Sequence, residues 1–359
     1  MLGSVLDVYR LRQYFNMLVR TRELAAGLRD DAGFLRAARR AVVRLPFEHR
    51  AAVPAPFPEG RVRVRPTLRG KRIGVVATGG SGAMASVVGV GRALEELGVT
   101  PAVISLCSGS ALFGFPLAAG LGADKTAEVM LALDPGDYLD VAWRQLAGLV
   151  PTAGRGFAGI VHGDRIEAAC RRWLGDMRLG ELPIPAYAPI WNVEANRVEY
   201  LGPDTHPDLP VARAIRMAIA MPLFFEPVEL DGGYWCDGGI VDIFPVEPVL
   251  DMEPVPDLVV AVNGFYPPGF AGDDATGWHD RRWSILHAAS QVRTCQHVEL
   301  ARHNLARLRR ETDVVMVDPV PYDKVRGIGF YRQFLDPSEW PAFMRAGRDA
   351  TLAALTQRR

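Results

Sequence analysis

Residues 71–112 contain two successive strand–loop–helix patterns, and this order of elements limits the fold more than any other feature of the sequence. A short apolar run, KRIGVVATGG, ends in glycines and is followed by a helical segment that closes at Gly98. A second apolar run, PAVISLC, leads through small residues into another helix. Strand, loop and helix repeated in this order are typical of a parallel sheet with crossover helices. The sequence therefore predicts an α/β fold with a mainly parallel central sheet flanked by helices on both faces.

The rest of the chain is expected to add further strands and helices to this fold. We expect further strands at four apolar segments, namely 186–192, 197–201, 257–263 and 313–318. A long helix fits 282–309, and its predicted packing face consists of Ile285, Ala288, Val292, Cys295, Leu305 and Leu308. A last helix is expected to begin near Ser338, with this serine as its cap. Glu95 and Glu96 are expected on a solvated helix face.

The predicted domain organisation has three parts. Residues 1–70 form a basic N-terminal helical arm with a Pro-rich linker. Residues 71–335 form the main α/β domain. Residues 336–359 form a C-terminal helix that packs on this domain.

Composition narrows the class of protein. The 359 residues are 49% hydrophobic and 23% charged, which excludes a mainly disordered chain. No run reaches the roughly 18 apolar residues that a spanning helix needs, and the N-terminus lacks the apolar region of a secretory signal. The cysteines are widely spaced without a CxxC pair, so we expect reduced thiols at Cys107, Cys170, Cys236 and Cys295. These features predict a cytoplasmic protein.

Charge is distributed unevenly, although the chain is neutral overall. Residues 1–72 contain 16 Lys and Arg but 6 Asp and Glu, a balance of +10, and the remainder carries −10. The arm also predicts an amphipathic helix over 4–28, with an apolar stripe of Val8, Leu11, Phe15 and Leu18. Such an arm either packs on the acidic body or makes peripheral contact with an anionic membrane. Nucleic acid is not expected as a partner, because no zinc-finger, RNP or helix-turn-helix pattern accompanies the charge.

Three short segments contain residue types that commonly take part in catalysis or anion binding. ATGGSGAM, at 77–84, lies between a strand and a helix, where backbone N–H groups can face an anion. LCSGSAL, at 106–112, has the same position one unit later, where a strained elbow can expose a serine hydroxyl. WCDGGIVDIFPV, at 235–246, places Asp237 in a glycine turn. Each segment taken singly is also an ordinary turn.

Together and in this order the three segments resemble the patatin-like phospholipase family. The family pattern is GGGxRG, then GxSxG, then DGG or DGA. The likeness covers about residues 71–320, because VGVGRALEELGVTPAVIS, GIVHGDRIEAACRRWLGD and VARAIRMAIAMPLFFEPVELDGGYWCDGG also follow the family. The DGG segment is the most specific part. The resemblance implies a patatin-like α/β fold and a hydrolase that cleaves lipid or acyl esters with a Ser–Asp dyad.

Two serines fit the nucleophile elbow, Ser108 and Ser110. In the family the nucleophile lies ten residues after the glycine that ends the preceding helix, and counting from Gly98 gives Ser108. Ser110 would require an insertion of two residues. We therefore favour Ser108, and Ser110 stays open as the alternative.

The same resemblance assigns roles to the other residues. Ser108 attacks an ester carbonyl, and Asp237 accepts its proton as general base with no histidine between them. The oxyanion is expected to bind backbone N–H groups of the glycine loop, which comprises Gly79, Gly80, Ser81 and Gly82. The elbow and the aspartate turn are supported by Gly109, Ser110, Gly238 and Gly239. Burial of the Asp237 carboxyl should raise its pKa, and the expected surrounding side chains are Tyr234, Trp235 and Phe244.

Two departures from the family pattern leave alternatives open. Leu106 stands beside the elbow where the family has a small residue, and Ala83 stands where the glycine loop has a basic one. No cofactor or metal is expected, because no His, Asp and Glu cluster has ligand spacing. An acyltransferase or thioesterase could use the same dyad, since an acyl-enzyme can react with acceptors other than water. A catalytically silent lipid-binding homologue is the third alternative.

Overall fold

A mixed sheet of eight strands forms the centre of the described part of the chain. The computed structural model describes residues 53–58, 68–148, 152, 154–271, 284–325 and 328–357. The amphipathic helix predicted at 4–28 lies outside these residues. The strands, in chain order, are β1 (Ile73–Ala77), β2 (Val103–Ser105), β3 (Gly159–Val161), β4 (Ala186–Asn192), β5 (Arg197–Leu201), β6 (Leu223–Phe225), β7 (Val228–Leu230), β8 (Gly233–Asp237), β9 (Leu258–Val262) and β10 (Asp313–Val317).

The sheet has a parallel part and an antiparallel part. The order is β10-β9-β1-β2-β4-β8-β7, and β5 also pairs with β4. Neighbouring strands from β10 to β4 are parallel, whereas β5 and β8 run antiparallel to β4 and β7 runs antiparallel to β8. A separate pair is formed by β3 and β6. The α/β fold is confirmed, and β4, β5, β9 and β10 lie where the apolar segments predicted strands.

Helices cover both faces of this sheet. In chain order they are α1 (Ser86–Glu96), α2 (Gly109–Ala118), α3 (Ala123–Leu131), α4 (Pro135–Tyr138), α5 (Trp143–Gly148), α6 (Asp164–Leu174), α7 (Val211–Ala218), α8 (Glu247–Leu250), α9 (Ser284–Glu311), α10 (Tyr322–Val325), α11 (Ile328–Leu335) and α12 (Trp340–Gln357). Successive β1 residues alternate between the faces: Val75 packs in the core cluster with α1 and α12, and Val76 in the cluster with α9. All of β1 is buried for this reason. Within the described ranges, no helix combines the length and hydropathy that crossing a bilayer requires.

Glycines allow α1 and α12 to cross in close contact. A Cβ on Gly89 would lie 1.8 Å from the carbonyl oxygen of Met344, and one on Gly347 would lie 2.0 Å from that of Ser86. Real Cβ atoms cannot approach backbone oxygens so closely, so both positions require glycine. The C-terminal helix is therefore packed tightly against the helix that follows the glycine loop.

Three local predictions were wrong. On α9 the buried residues include Leu305 and Leu308, as predicted, but Val292 and Cys295 are exposed and Val298 is buried instead. The helical stripe was extrapolated from sequence spacing, whereas the buried face among the described side chains of α9 consists of Val298, Ala301, Leu305 and Leu308 together with Asn304. The side chains at positions 285 and 288 of the predicted face lie outside the described part of the chain.

The other two wrong predictions concern polar residues. Ser338 lies within the 3₁₀ turn Pro337–Glu339, and the cap is the Asp336 carboxylate, which accepts from the Ser338 N–H at 3.0 Å. Glu96 is buried rather than solvated, because Arg92 and Arg348 pair with it at 3.0 and 2.8 Å. Sequence spacing on α1 alone does not reveal the partner on α12.

Candidate active site

The three predicted segments converge at one edge of the sheet. The glycine loop follows β1 and the serine elbow follows β2, and these parallel strands pair with Val76 opposite Ser105. Because parallel strands end at the same edge, the loop and the elbow lie side by side. Asp237 ends β8, where it pairs with Ile190 on the neighbouring strand β4. Residues distant in sequence thereby form one candidate site.

The backbone at Ser108 is held in an unusual conformation. Its φ is 49° and its ψ is −123°, and α2 begins at the next residue. Non-glycine residues at such angles store strain and persist only where the surroundings impose them. A Cβ on Gly109 would lie 2.2 Å from the Gly80 carbonyl oxygen, so only glycine lets the elbow approach the loop this closely. The chain therefore presents Ser108 directly beside the glycine loop.

Ser110 has a different environment from Ser108. Its side chain is completely buried, and its Oγ accepts from the Cys107 N–H at 2.7 Å and donates to the Cys107 carbonyl at 2.8 Å. These two bonds stabilise the elbow and engage the Ser110 hydroxyl both as acceptor and as donor. Cys107 itself is buried, which raises the pKa of its thiol well above the ordinary value and keeps it protonated. Of Ser108, Ser110 and Cys107, Ser108 is the one that is partly exposed, as a nucleophile must be.

Leu106 is accommodated by a glycine that the sequence analysis did not single out. The Leu106 side chain is fully buried, and a Cβ on Gly114 would lie 2.4 Å from its Cδ2. Gly114 lies further along α2 and leaves the room that a small residue beside the elbow would otherwise provide. The bulk of Leu106 is thus compatible with the elbow geometry.

Asp237 is buried next to Ser108. Its side chain is 3% exposed, and its Oδ1 accepts from the Gly239 N–H at 2.8 Å. Burial raises the Asp237 pKa from 3.8 to about 7, and the adjacent Ser108 side chain and Gly239 N–H counteract only part of this effect. A carboxyl with such a pKa can exchange a proton near neutral pH.

The surroundings of Asp237 differ in part from the expectation. Trp235 and Phe244 are buried, but Tyr234 is 47% exposed and does not shield the carboxyl. The turn glycines contribute instead, because a Cβ on Gly238 would lie 2.5 Å from the Pro189 carbonyl carbon, and one on Gly239 2.6 Å from the Cys107 Sγ. Glycines at both positions let the turn pack onto β4 and onto the elbow.

The glycine loop offers fewer N–H donors than predicted. The Gly79 N–H already donates to the Ile243 carbonyl at 3.0 Å, so it does not fit the predicted role in binding an oxyanion. For the N–H groups of Gly80 and Ser81, the described residues provide no acceptor. Gly82 starts the 3₁₀ turn that follows, and the neighbouring Ala83 is fully buried. Within the glycine loop, the N–H groups of Gly80, Ser81 and Gly82 therefore have no acceptor among the described residues.

An apolar pocket extends from Ser108. Its volume is about 560 Å³, including the part that is open to solvent. The lining residues are Ser81, Gly82, Ser108, Gly109, Leu112, Phe113, Tyr138, Ile166, Ile219, Met221, Phe225, Phe330, Phe334 and Trp340. Sequence reasoning missed all of the aromatic members, because no local motif indicates that distant helices supply a pocket wall. A lining of this kind favours apolar groups over charged ones.

Comparisons with known proteins relate to this same region. A family model described as patatin-like phospholipase matches residues 75–250. An uncharacterized NTE family protein of Mycobacterium bovis is 32% identical over 107 residues, which are 30% of this chain and 28% of the relative. Lysophospholipase NTE1 of Cryptococcus neoformans is 25% identical over 228 residues, 60% of this chain and 13% of that protein. The matches thus span less than a third of either relative's length.

Among solved structures, VipD from Legionella pneumophila superimposes with a TM-score of 0.47. The sequence identity is 17%, and the match covers 89% of this chain and 72% of VipD.

Proposed function

Residues 75–250 belong to the patatin-like phospholipase family, and from this premise we propose that the protein is a lipid acyl hydrolase that works through Ser108 and Asp237. The observation that supports this most directly is the placement of the Ser108 side chain, which lines an apolar pocket, next to the buried Asp237 carboxylate, whose pKa it lowers. Burying a carboxylate costs free energy unless it has partners, so a buried aspartate next to a serine is an unusual arrangement. The patatin-like fold brings the two residues together without a histidine.

In the first half of the reaction, the Ser108 Oγ attacks the ester carbonyl carbon while its proton passes to Asp237. The negative charge that develops on the carbonyl oxygen is stabilised by the N–H groups of Gly80 and Ser81. When the tetrahedral intermediate collapses, the C–O bond to the alcohol breaks and Asp237 returns the proton to the departing oxygen. The acyl group stays on Ser108 as an ester.

In the second half, a water molecule attacks the acyl-enzyme and gives a proton to Asp237. The intermediate then expels Ser108, which regains the proton, and a carboxylic acid is released. A pKa of about 7 suits both halves, since a base that is close to neutral pH can accept and return a proton with little loss. The same intermediate reacting with an alcohol or thiol acceptor would make the protein a transferase.

The substrate is proposed to be a lipid or another ester with a long acyl chain. The pocket walls are aromatic and aliphatic side chains, and its most buried members include Phe113, Ile166 and Trp340. Apolar surface of this kind gains free energy from each methylene that leaves water. The acyl chain is therefore the part of the substrate that the pocket recognises.

Peripheral contact with an anionic membrane is a further part of this proposal. It is supported by the +10 charge of residues 1–72. A lipid substrate resides in a membrane, and about 1 kcal/mol for each basic residue near an anionic surface is enough for reversible binding.

The deciding experiment is labelling with a fluorophosphonate probe, followed by mass spectrometry of the modified peptide. We expect labelling on Ser108 in the full-length protein and none in Ser108→Ala. The control Ser110→Ala loses the two hydrogen bonds to Cys107 but keeps the dyad, so it should keep a measurable fraction of labelling and esterase activity. Labelling that persists in Ser108→Ala would assign the nucleophile elsewhere, and a wild-type protein without any labelling would be a silent lipid-binding homologue.

If the protein is labelled, the products decide between hydrolase and transferase. The ester is incubated with water as the only acceptor and then with added alcohol or thiol. Free acid as the main product in both cases supports the hydrolase. Transfer that dominates at millimolar acceptor would contradict it.

A further inference from the structure

The Ser81 hydroxyl is buried without a hydrogen-bond partner. The residue is 1% exposed, and none of the described residues pairs with its Oγ. Buried polar groups in folded proteins are almost always paired, so each exception calls for a physical reason. One recognised reason is that the partner is a ligand which is present only during function.

The location of Ser81 identifies this missing partner. Ser81 lines the same pocket as Ser108, and the carbonyl oxygens of Gly80 and Ser81 would lie 2.2 and 3.0 Å from a Cβ on Gly109. The loop therefore touches the residue that follows the candidate nucleophile. Ser81 therefore lies at the part of the pocket where the reacting carbonyl group is placed by the proposed mechanism.

The residue type at this position is also informative. The family pattern GGGxRG has a third glycine where this chain has Ser81, so the hydroxyl is additional to the usual loop. At the same time this loop has Ala83 in place of the basic residue, and the Gly79 N–H is occupied by Ile243. Compared with the family pattern, the loop lacks the basic residue and has one additional hydroxyl donor, while its Gly79 N–H is not available.

We propose that Ser81 is a catalytic residue whose hydroxyl donates a hydrogen bond to the oxyanion, beside the N–H groups of Gly80 and Ser81. This inference rests on the proposed hydrolase function. Ser81 forms no covalent bond and transfers no proton; it stabilises the negative charge of the tetrahedral intermediate and is unpaired before the substrate arrives. A donor that pairs only in the transition state lowers the barrier without tightening substrate binding.

The test compares Ser81→Ala with Ser86→Ala in the full-length protein. Ser86 is a matched control, because its Oγ is likewise buried and unpaired but the residue does not line the pocket. We expect Ser81→Ala to lower kcat about 10- to 100-fold, with KM changed by less than about threefold. The rate of inactivation by a fluorophosphonate should fall in parallel, since this probe also places an oxygen in the oxyanion site.

Ser86→Ala should keep wild-type kcat. Both variants should melt at or above the wild-type temperature, because neither loses a hydrogen bond. The apparent pKa in the pH–rate profile should stay near that of the wild type, since Asp237 is untouched. If Ser81→Ala is too unstable to purify, Ser81→Gly restores the family residue and serves for the same comparison.

Three outcomes would overturn the proposal: a Ser81→Ala kcat within twofold of wild type, an equal loss of kcat in Ser86→Ala, or a lower melting temperature that accounts for the loss of activity. These differ from failure of the hydrolase proposal, in which the wild-type protein itself is neither labelled at Ser108 nor active.

Discussion

Replacing Asp237 with asparagine should make the protein more stable and less active at the same time. In the wild type, ionising Asp237 places a negative charge in a site that is 3% exposed, and its pKa is raised from 3.8 to about 7 by this burial. Asparagine has nearly the same shape and cannot ionise. It still accepts from the Gly239 N–H, but it is too weak a base to take a proton from Ser108.

The magnitude follows from the shift in pKa. Between pH 3.8 and about 7 the folded protein keeps a proton on Asp237 that the unfolded chain has lost, so stability falls as the pH rises through this window. The shift is about 3 pH units, and at 1.36 kcal/mol for each unit the full loss is about 4 kcal/mol. The Asp237→Asn variant avoids this loss, but its buried NH₂ group without a new acceptor costs about 1–3 kcal/mol. We expect a net gain of about 1–3 kcal/mol above pH 7.

The assay is urea unfolding of the full-length wild type and of Asp237→Asn from pH 5 to pH 8. Because the cost of the amide does not depend on pH, the difference between the two free energies of unfolding isolates the carboxyl. This difference should change by about 3 kcal/mol in favour of the variant over the range. Esterase turnover at pH 8 should fall by about a hundredfold or more.

A control variant separates this effect from general changes in charge. Asp231 lies in the turn between β7 and β8 and has a φ of 52°, which asparagine adopts readily. Asp231 is exposed, so Asp231→Asn makes the same chemical change without altering a buried carboxyl, and the two variants are compared over the same pH range. If the difference between Asp237→Asn and the wild type depends on pH no more than that of Asp231→Asn, the Asp237 carboxyl is not a buried, proton-retaining group, and its role as a base near neutral pH loses its physical basis.

The remaining predictions concern catalysis, specificity and membrane contact. The kcat/KM of the wild type should rise with pH and level off above an apparent pKa of about 7, because Asp237 must lose its proton to act as base; a profile that falls through this range would contradict the assignment. Phe334→Ala removes apolar surface that only a long acyl chain can reach, so the ratio of activity on long-chain to short-chain p-nitrophenyl esters should fall by about tenfold, and an unchanged ratio would place the acyl chain elsewhere. Changing Arg10, Arg12 and Arg20 together to Gln in the full-length protein removes about 3 kcal/mol of attraction to anionic lipid, so sedimentation with phosphatidylserine vesicles should weaken by about 100-fold. Equal sedimentation would favour an arm that packs on the acidic body.

Strands with a distinctive local composition and turns marked by glycines were predictable from the sequence. β9 is a continuous apolar run because this central parallel strand is buried along its whole length, and such a composition is visible without a structure. The apolar run DVVMV likewise indicated β10, although this strand lies at the edge of the sheet and is only partly buried. The approach of Ser108 to Asp237 was predictable for another reason. The family pattern ties both residues to turns that glycines mark, and the sheet brings these turns together.

Contacts between distant elements were not predictable in the same way. The compensation of Leu106 by Gly114 depends on how α2 lies against β2, and the pairing of Glu96 with Arg348 depends on where the last helix packs. The use of the Gly79 N–H by Ile243 is a further case, because a loop donor is free or occupied according to its tertiary neighbour. Spacing within one element contains no information about such partners.

The segment 333–340 connects the pocket to the glycine loop, although it lies beyond the 75–250 match. A Cβ on Gly82 would lie 2.1 Å from both the Gln333 carbonyl oxygen and the Trp340 Nε1, so the loop and this segment are in direct contact. The Trp340 Nε1–H donates to the Gln333 carbonyl at 3.0 Å, and the Tyr138 hydroxyl donates to the Phe334 carbonyl at 2.5 Å.

These bonds fix the aromatic wall relative to the loop that would bind the oxyanion. An acyl chain that displaces the wall therefore also moves the Gly80 and Ser81 donors, because Gly82 leaves no space between loop and wall. Under the proposed mechanism, we therefore expect substitutions in the pocket wall to change kcat as well as KM.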